Sequence, residues 1–513
     1  MAIIGTDLNS RLMTMSGEDT VEVVVFVADD DEEDAEHLSA SLDSPQPSRA
    51  EVLSYLQAQA EARQADLLGF LQGDVAAQGG AADEALGPQA RVIERFWINN
   101  SIRMEANAAM ISRLADRDDV THIEMVRRAY LDDLLDNNQL LGALPVPHKP
   151  DSTEEDAPKP TWSVKQINAP KVWALGHKGE GVLVAVIDTG VNYKHPDLID
   201  RMWESGEYPN HGYDFSGGGD DDPMDHHGHG SKVAGIVAGD GTSGKSTGVA
   251  PEAKILAIRI GETETAIWNC LEFAIAQQVD VISMSVTWKG HQNPDYPGWR
   301  RTCKRIERCG IAHANSSGNQ GNESYAYRIP GNIGAPGNCP PPWLHRDLPQ
   351  KGGTCSPMTC GSSDQSDQLR GSSGRGPVAW ESDEYDDYPY EDGEKPGLIK
   401  PDICAPGSST DTCGHRYFEG GSAASPYISF NGTSAATPHV AGCMALLISV
   451  ARAAGTSIRP AQLQEAIEMS AVRMPGQSQS KENHYGAGRI DVLGAYRYGA
   501  AQGWWPTETQ NIS

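Results

Sequence analysis

Basic residues are scarce in this chain: 41 Lys plus Arg stand against 70 Asp plus Glu, a formal net charge of −29 over 513 residues. That imbalance repels phosphate backbones and anionic bilayers, so nucleic acid and membrane surfaces are poor partners. No run of 18 apolar residues occurs, so nothing is read as spanning a bilayer. The first residues, MAIIGTDLNSRLMTMSGED, lack a basic stretch followed by an apolar one. No Sec-type signal peptide is visible, and the expected location is cytoplasmic or reached by another export route. Cysteine is missing before residue 270, and the nine that occur are odd in number and crowd between 270 and 443. Cys404 and Cys443 sit in apolar runs and are expected as buried thiols, while Cys355 and Cys360 could close a small disulfide loop. The redox compartment stays open. What the chain does have is length for two or three domains and an ordinary 39% hydrophobic content.

Composition shifts divide the chain. Residues 21–28, VEVVVFVA, read as a buried strand, and Ser48 with Glu51 forms a capping-box signature before a long helix that Gly73 should end. A hairpin over ARVIERFWINNSIRMEA, a helix over NAAMISRLADRDD and a strand over VTHIEMVRRAY complete a compact α/β domain, residues 1–132. Residues 133–160 turn polar and Pro-rich, as an exposed linker does. From 161 to 498, apolar strands alternate with helices, which predicts an α/β domain with a doubly wound parallel sheet. The acidic stretch at 381–397 interrupts that pattern as a surface insertion, and 499–513 reads as a C-terminal tail.

Three segments carry chemistry: VAVIDTGVNYKHPDL around Asp188, HGHGSKVAG around His229 and NGTSAATPHVAG around Ser434. An Asp at the carboxyl end of an apolar strand lies where open α/β sheets form their ligand crevice, and its carboxylate can fix a histidine tautomer. His229, opening a helix of small residues, can take a proton from Ser434 and return it to a leaving amine. The run Gly432–Ala436 permits a tight turn into a helix whose N-terminus favours negative charge at the nucleophile. In this chain order the three segments resemble the active-site motifs of the subtilase family of serine peptidases, over about residues 161–498. SSGNQG at 316–321 resembles the family's oxyanion segment, which makes Asn319 the side-chain donor.

The resemblance implies a subtilisin-like fold and a serine endopeptidase that forms an acyl-enzyme on protein or peptide substrates, with no organic cofactor. It also implies that residues 1–132 are a propeptide, both chaperone and inhibitor, whose end fills the cleft before self-cleavage. Aligning VTHIEMVRRAYLDD with the last strand of such a domain sets the first cut after Asp132 or a neighbour. Ser285, Val286, Thr287 and Trp288 stand where relatives read Ser-Leu-Gly-Gly, and with Gly318 they are expected to line the substrate cleft. Aligning RIPGNIGAP puts Arg328 at the floor of the primary pocket, where a guanidinium favours an acidic side chain before the scissile bond. DFSGGGDDDPMD resembles calcium loops of some relatives, so a structural calcium on Asp220, Asp222 and Asp225 is a further expectation. Two patterns fail on context. GDGTSGKS at 239–246 matches a phosphate-binding loop but follows a helix and runs into Gly248 and Pro251, and Asp225, His226, His227 and His229 lack suitable zinc spacing.

Overall fold

The β-branched run Thr20–Val27 is extended as its composition dictates, and in the computed structural model of the chain it is the central strand of a five-stranded sheet. The structure describes residues 2–506 apart from 18, 30–33, 35–47, 78–89, 136–156, 218, 322–326, 383 and 417–424. The described residues fall into two compact units, Met1–Arg128 with Thr263–Ala276, and Ala129–Glu262 with Gln277–Ser513.

In the first unit, Ile3–Ile4 (β1), Thr20–Val27 (β2), Ala90–Phe96 (β3), Ser101–Asn107 (β4) and Val120–Met125 (β5) pair in the order β1-β5-β2-β4-β3. The β3–β4 and β2–β4 pairs are antiparallel, as the hairpin reading expects. Leu67, Leu71, Met110, Ile111 and Leu114 close the core. The capping box forms: Ser48 N–H donates to Glu51 Oε2 (2.7 Å), and Glu51 N–H donates to Ser48 Oγ (3.3 Å). That helix, Arg49–Ala77, runs past Gly73, because one interior glycine costs only about 1 kcal/mol and strong helix formers flank it. The helix Glu264–Ala276 groups with this unit. Trp268 meets Phe26 and Phe96 edge-on, and Glu272 Oε1 accepts from the Trp97 and Ile98 N–H groups at 2.8 and 2.9 Å.

The second unit is built on seven parallel strands: Leu183–Asp188 (β6), Gly212–Asp214 (β7), Lys254–Arg259 (β8), Val281–Met284 (β9), Ala312–Ser316 (β10), Pro357–Ser363 (β11) and Ile403–Pro406 (β12). Their order is β12-β11-β10-β9-β6-β8-β7, so β6, the first in sequence, lies inside the sheet and the chain winds outward both ways from it. The expected doubly wound parallel sheet is therefore present. β6, β9 and β10 are neighbours, which sets Asp188, Ser285 and the Ser316–Asn319 turn side by side at the carboxyl edge. Thr410–Cys413 (β13) and Tyr427–Phe430 (β14) form an antiparallel hairpin just before the helix Thr433–Ala453. That helix is apolar and long enough to cross a membrane, yet it is fully enclosed in the core.

The acidic insertion is anchored as well as exposed. Asp387 pairs with both ends of the buried Arg300 guanidinium, which lies 4.2 Å from the Tyr385 ring centre and 4.7 Å from that of Trp380. The tail expectation needs correction, because Gly499 and Trp505 are buried and the Trp505 N–H donates to the Tyr496 carbonyl at 2.9 Å. All nine cysteines are buried free thiols, so the Cys355–Cys360 loop disulfide does not form. Most of the expected linker lies outside the described residues.

Candidate active site

Asp188 closes β6 and is fully buried, with Oδ1 accepting its neighbour's Thr189 N–H at 2.8 Å. His229 opens the helix His229–Ala238, and its Nδ1 lies 2.8 Å from Asp188 Oδ1 and 3.0 Å from Oδ2. The contact needs a helix that touches the strand end. Gly230 allows it, since a Cβ there would stand 2.0 Å from the Gly190 carbonyl oxygen. With Nδ1–H donated to a carboxylate, the other ring nitrogen is left basic. That atom, His229 Nε2, is buried without a hydrogen-bond partner, and the ring packs edge-on against Phe430 at 5.2 Å. Phe430 ends β14, four residues before Ser434.

Ser434 is the second residue of its helix and is 3% exposed; Gly432 precedes it with φ +98, a backbone state that L side chains rarely adopt. Pro438 lies four residues on and has no N–H to offer the Ser434 carbonyl. Ser285 Oγ donates to that carbonyl instead, at 3.2 Å, tying the strand β9 exit to the nucleophile turn. Asn319 Oδ1 accepts from Thr433 N–H (2.9 Å) and Thr433 Oγ1 (3.2 Å). With its carbonyl end held there, the amide is fixed with its NH2 group as the donor end, beside the residue preceding the nucleophile.

The cleft wall is tightly built. Asn315 Nδ2 donates to the Met284 and Val286 carbonyls at 2.7 and 3.1 Å, Thr287 Oγ1 meets Ser316 Oγ at 2.8 Å, and Trp288 exchanges two 2.8 Å backbone bonds with Ala335. Gly318, at φ +84, accepts the Gly374 N–H through its carbonyl. Arg328 is exposed, so the pocket-floor position expected for it is not where the side chain lies: a solvated guanidinium cannot act as a buried counter-charge. Asp132 also needs correction. The 132–133 peptide bond sits inside a helical turn, Leu131–Leu134, closed by Leu134 N–H to Tyr130 O (3.1 Å) and Leu135 N–H to Leu131 O (3.0 Å). A bond wrapped in such a turn is not presented for attack. The Asp132 side chain is largely exposed, 3.2 Å from His227 Nε2.

The calcium expectation fails at its most buried member. Asp225 Oδ1 accepts from Thr189 Oγ1, His227 N–H and Gly228 N–H, and its Oδ2 accepts from Ser231 N–H and Ser231 Oγ, at 2.6 to 3.0 Å. Five protein donors saturate the carboxylate, which makes it the cap of the His229 helix and a link to the residue after Asp188. Asp222 Oδ1 accepts from Tyr193 Oη and Met224 N–H, and Asp220 Oδ1 accepts from Asp222 N–H. Among the described residues the cluster that could gather metal-ligating atoms is a different one: His195, Asp197 and Cys413, all buried. Its groups are already bonded: His195 Nδ1 accepts from Asp197 N–H, His195 Nε2 faces the Pro426 carbonyl, and Asp197 accepts from Ser243 N–H and Tyr427 Oη. The loop 239–246 ends in a two-residue strand, not a helix, and Lys245 pairs with Asp411. Lys232, beside this network, is held below the usual lysine value by burial, against the pull of Asp225 and Asp188. Sequence reasoning missed the Asp225 cap and the Pro438–Ser285 link; the Pro in TSAATP, four residues past the serine, was the available signal for the second.

Comparison with known proteins agrees with this geometry. Residues 179–488 match the model of the subtilase family. The chain is 35% identical over 164 residues to the major intracellular serine protease of Bacillus subtilis, covering 31% of this chain and 49% of that protein. Bacillopeptidase F of Bacillus subtilis is 27% identical over 477 residues, 87% of this chain and 28% of that protein. Thermitase of Thermoactinomyces vulgaris is 28% identical over 346 residues, 65% of this chain and 95% of that protein. The matched stretches thus span about half and about a quarter of the first two relatives. With a family match over more than half its length, on a doubly wound sheet whose carboxyl edge carries Asp188, His229 and Ser434, this chain belongs to the subtilase family.

Proposed function

We propose that this chain is a serine endopeptidase in which Ser434 attacks the scissile carbonyl, His229 moves the proton and Asp188 orients the imidazole. Asn319 and the Ser434 N–H stabilise the oxyanion of the tetrahedral intermediate. The observation that carries the reading is the imidazole itself: Nδ1 is committed to a buried carboxylate at 2.8 Å while Nε2 is enclosed and without a partner, a base waiting for a proton. Collapse of the acyl-enzyme by water returns Ser434, with His229 again acting as the base. A fluorophosphonate probe tests the proposal. Labelling of Ser434 that vanishes in Ser434→Ala and falls steeply in His229→Ala supports it, whereas an unlabelled native chain refutes it.

The reading extends to a precursor. The N-terminal unit acts as propeptide, holding the peptidase unit inactive until the chain cuts itself in the stretch that follows Arg128. Mass spectrometry of the matured protein beside a Ser434→Ala precursor checks this, and an intact N-terminus on fully active enzyme would end it. A preference for an acidic residue before the scissile bond rests on Arg328 alone once the 132–133 bond is set aside. Profiling Arg328→Gly on a peptide library decides it, and an unchanged profile clears Arg328 of any role.

A further inference from the structure

The stretch after Arg128 belongs to the peptidase unit and is held there chiefly through its main chain. Ala129 N–H donates to the Glu262 carbonyl at 2.9 Å, and Thr287 N–H donates to the Leu134 carbonyl at 3.1 Å. Between them, Lys289 Nζ donates to the Asp133 carbonyl. Lys289 is buried although it carries a charge, and it lies two residues past the stretch whose Ser285 hydroxyl bonds Ser434. On the opposite side Asp132 reaches His227, two residues before His229. The stretch therefore spans from the histidine side of the site to the β9 exit. Its side chains divide sharply: Tyr130 is 78% exposed, and Leu134 and Leu135 are 1% and 2% exposed.

We propose that Lys289 and the Thr287 main chain form a clamp for two successive peptide carbonyls, and that the adjoining sockets select substrates carrying two consecutive leucine-sized aliphatic residues. The proposal rests on the peptidase reading and names its substrate class. A peptide carbonyl is present at every residue, so the clamp sets register without demanding sequence. Selectivity comes from the paired apolar sockets, since each enclosed leucine is removed from water where an alanine would leave a void. An ammonium is a strong donor on a flexible stem, and its interaction with a neutral carbonyl strengthens when the occupant shields it from water. Lys289 is thus a specificity-determining residue outside the Asp–His–Ser constellation. Its signal in the sequence is the replacement of two glycines by Thr287 and Trp288 just before it, which leaves this wall able to reach a bound chain with a side chain as well as with backbone.

The test uses the full chain and its Lys289→Ala and Lys289→Arg variants, each first titrated with fluorophosphonate to count competent Ser434. Internally quenched peptides are then compared that differ only in a Leu-Leu or Ala-Ala pair, together with shortened versions that end before the carbonyl held by Lys289. The native chain is expected to prefer the Leu-Leu peptide by at least about 10-fold in kcat/KM. Lys289→Ala is expected to lose about 10-fold on the long peptide, chiefly in KM, and nothing on the shortened one, with Lys289→Arg partly restoring the loss. Equal rates on Leu-Leu and Ala-Ala peptides overturn the sockets, and a Lys289→Ala loss that is the same on both lengths overturns the clamp. The peptide comparison needs no mutation, so a misfolded variant does not rescue the idea. Unlabelled Ser434 would instead sink the peptidase reading itself.

Discussion

Replacing Asp225 should damage the site more than replacing any other acid outside the Asp–His–Ser set. Its carboxylate accepts five donors, two of them the buried N–H groups of Gly228 and Ser231, which flank His229. An enclosed backbone N–H left without a partner costs about 1–3 kcal/mol, so Asp225→Ala should remove roughly 2–6 kcal/mol, a large part of a domain's usual margin of about 5–15 kcal/mol. Asp225→Asn keeps one acceptor but turns an NH2 toward donors, and should fall at the lower end of that range. Because the same carboxylate ties Thr189, next to Asp188, to the His229 helix, fluorophosphonate labelling should also slow by at least about 10-fold. Urea denaturation in a Ser434→Ala background, where self-digestion is absent, gives the stability, and labelling of the active-serine form gives the rate. A change in Asp225→Asn below about 0.5 kcal/mol with unaltered labelling would refute the capping argument. If Asp225 held a cation instead, added calcium would stabilise the native chain and not the variant, by an amount growing with the logarithm of its concentration.

Three further outcomes follow from the geometry. Asn319→Ala should lower kcat by roughly 10²–10³, the figure known for this donor in the family, with KM nearly unchanged; a loss confined to KM would remove Asn319 from the oxyanion site. His439, on the Ser434 helix, donates its Nδ1–H to the Ala435 carbonyl and is fully buried, which pulls its imidazole down from 6.5 to about 4. The unfolded chain therefore binds more protons between those values, so stability is full above about pH 6.5 and falls by up to about 3 kcal/mol as pH drops to 4. His439→Asn, which can keep the donor, should flatten that part of the profile, and an unchanged acid slope would contradict the assignment. Arg300→Met strands Asp387 and empties the slot beside Trp380 and Tyr385, so it should cost about 3 kcal/mol and speed hydrogen exchange across Trp380–Leu398; unaltered exchange there would mean that the insertion is anchored elsewhere.

The alternation of apolar strands and helices determined a parallel sheet, since crossovers between parallel strands admit few other arrangements, and the three motif segments determined which strand ends and helix starts carry chemistry. Those are local properties: a strand run ending in Asp, a helix opening on His, and a glycine turn into Ser434 are written in consecutive residues. Tertiary structure decided what depends on the meeting of distant segments. Whether Asp225 holds a cation or caps a helix depends on which donors reach it, and Thr189 is 36 residues away. Arg328 lies in solvent rather than in a pocket, and the 132–133 bond is wound into a turn rather than laid open, because side-chain direction and backbone hydrogen bonding are settled only when neighbouring elements arrive. The nine thiols stayed unpaired for the same reason, since spacing along the chain does not bring two sulfur atoms into bonding geometry.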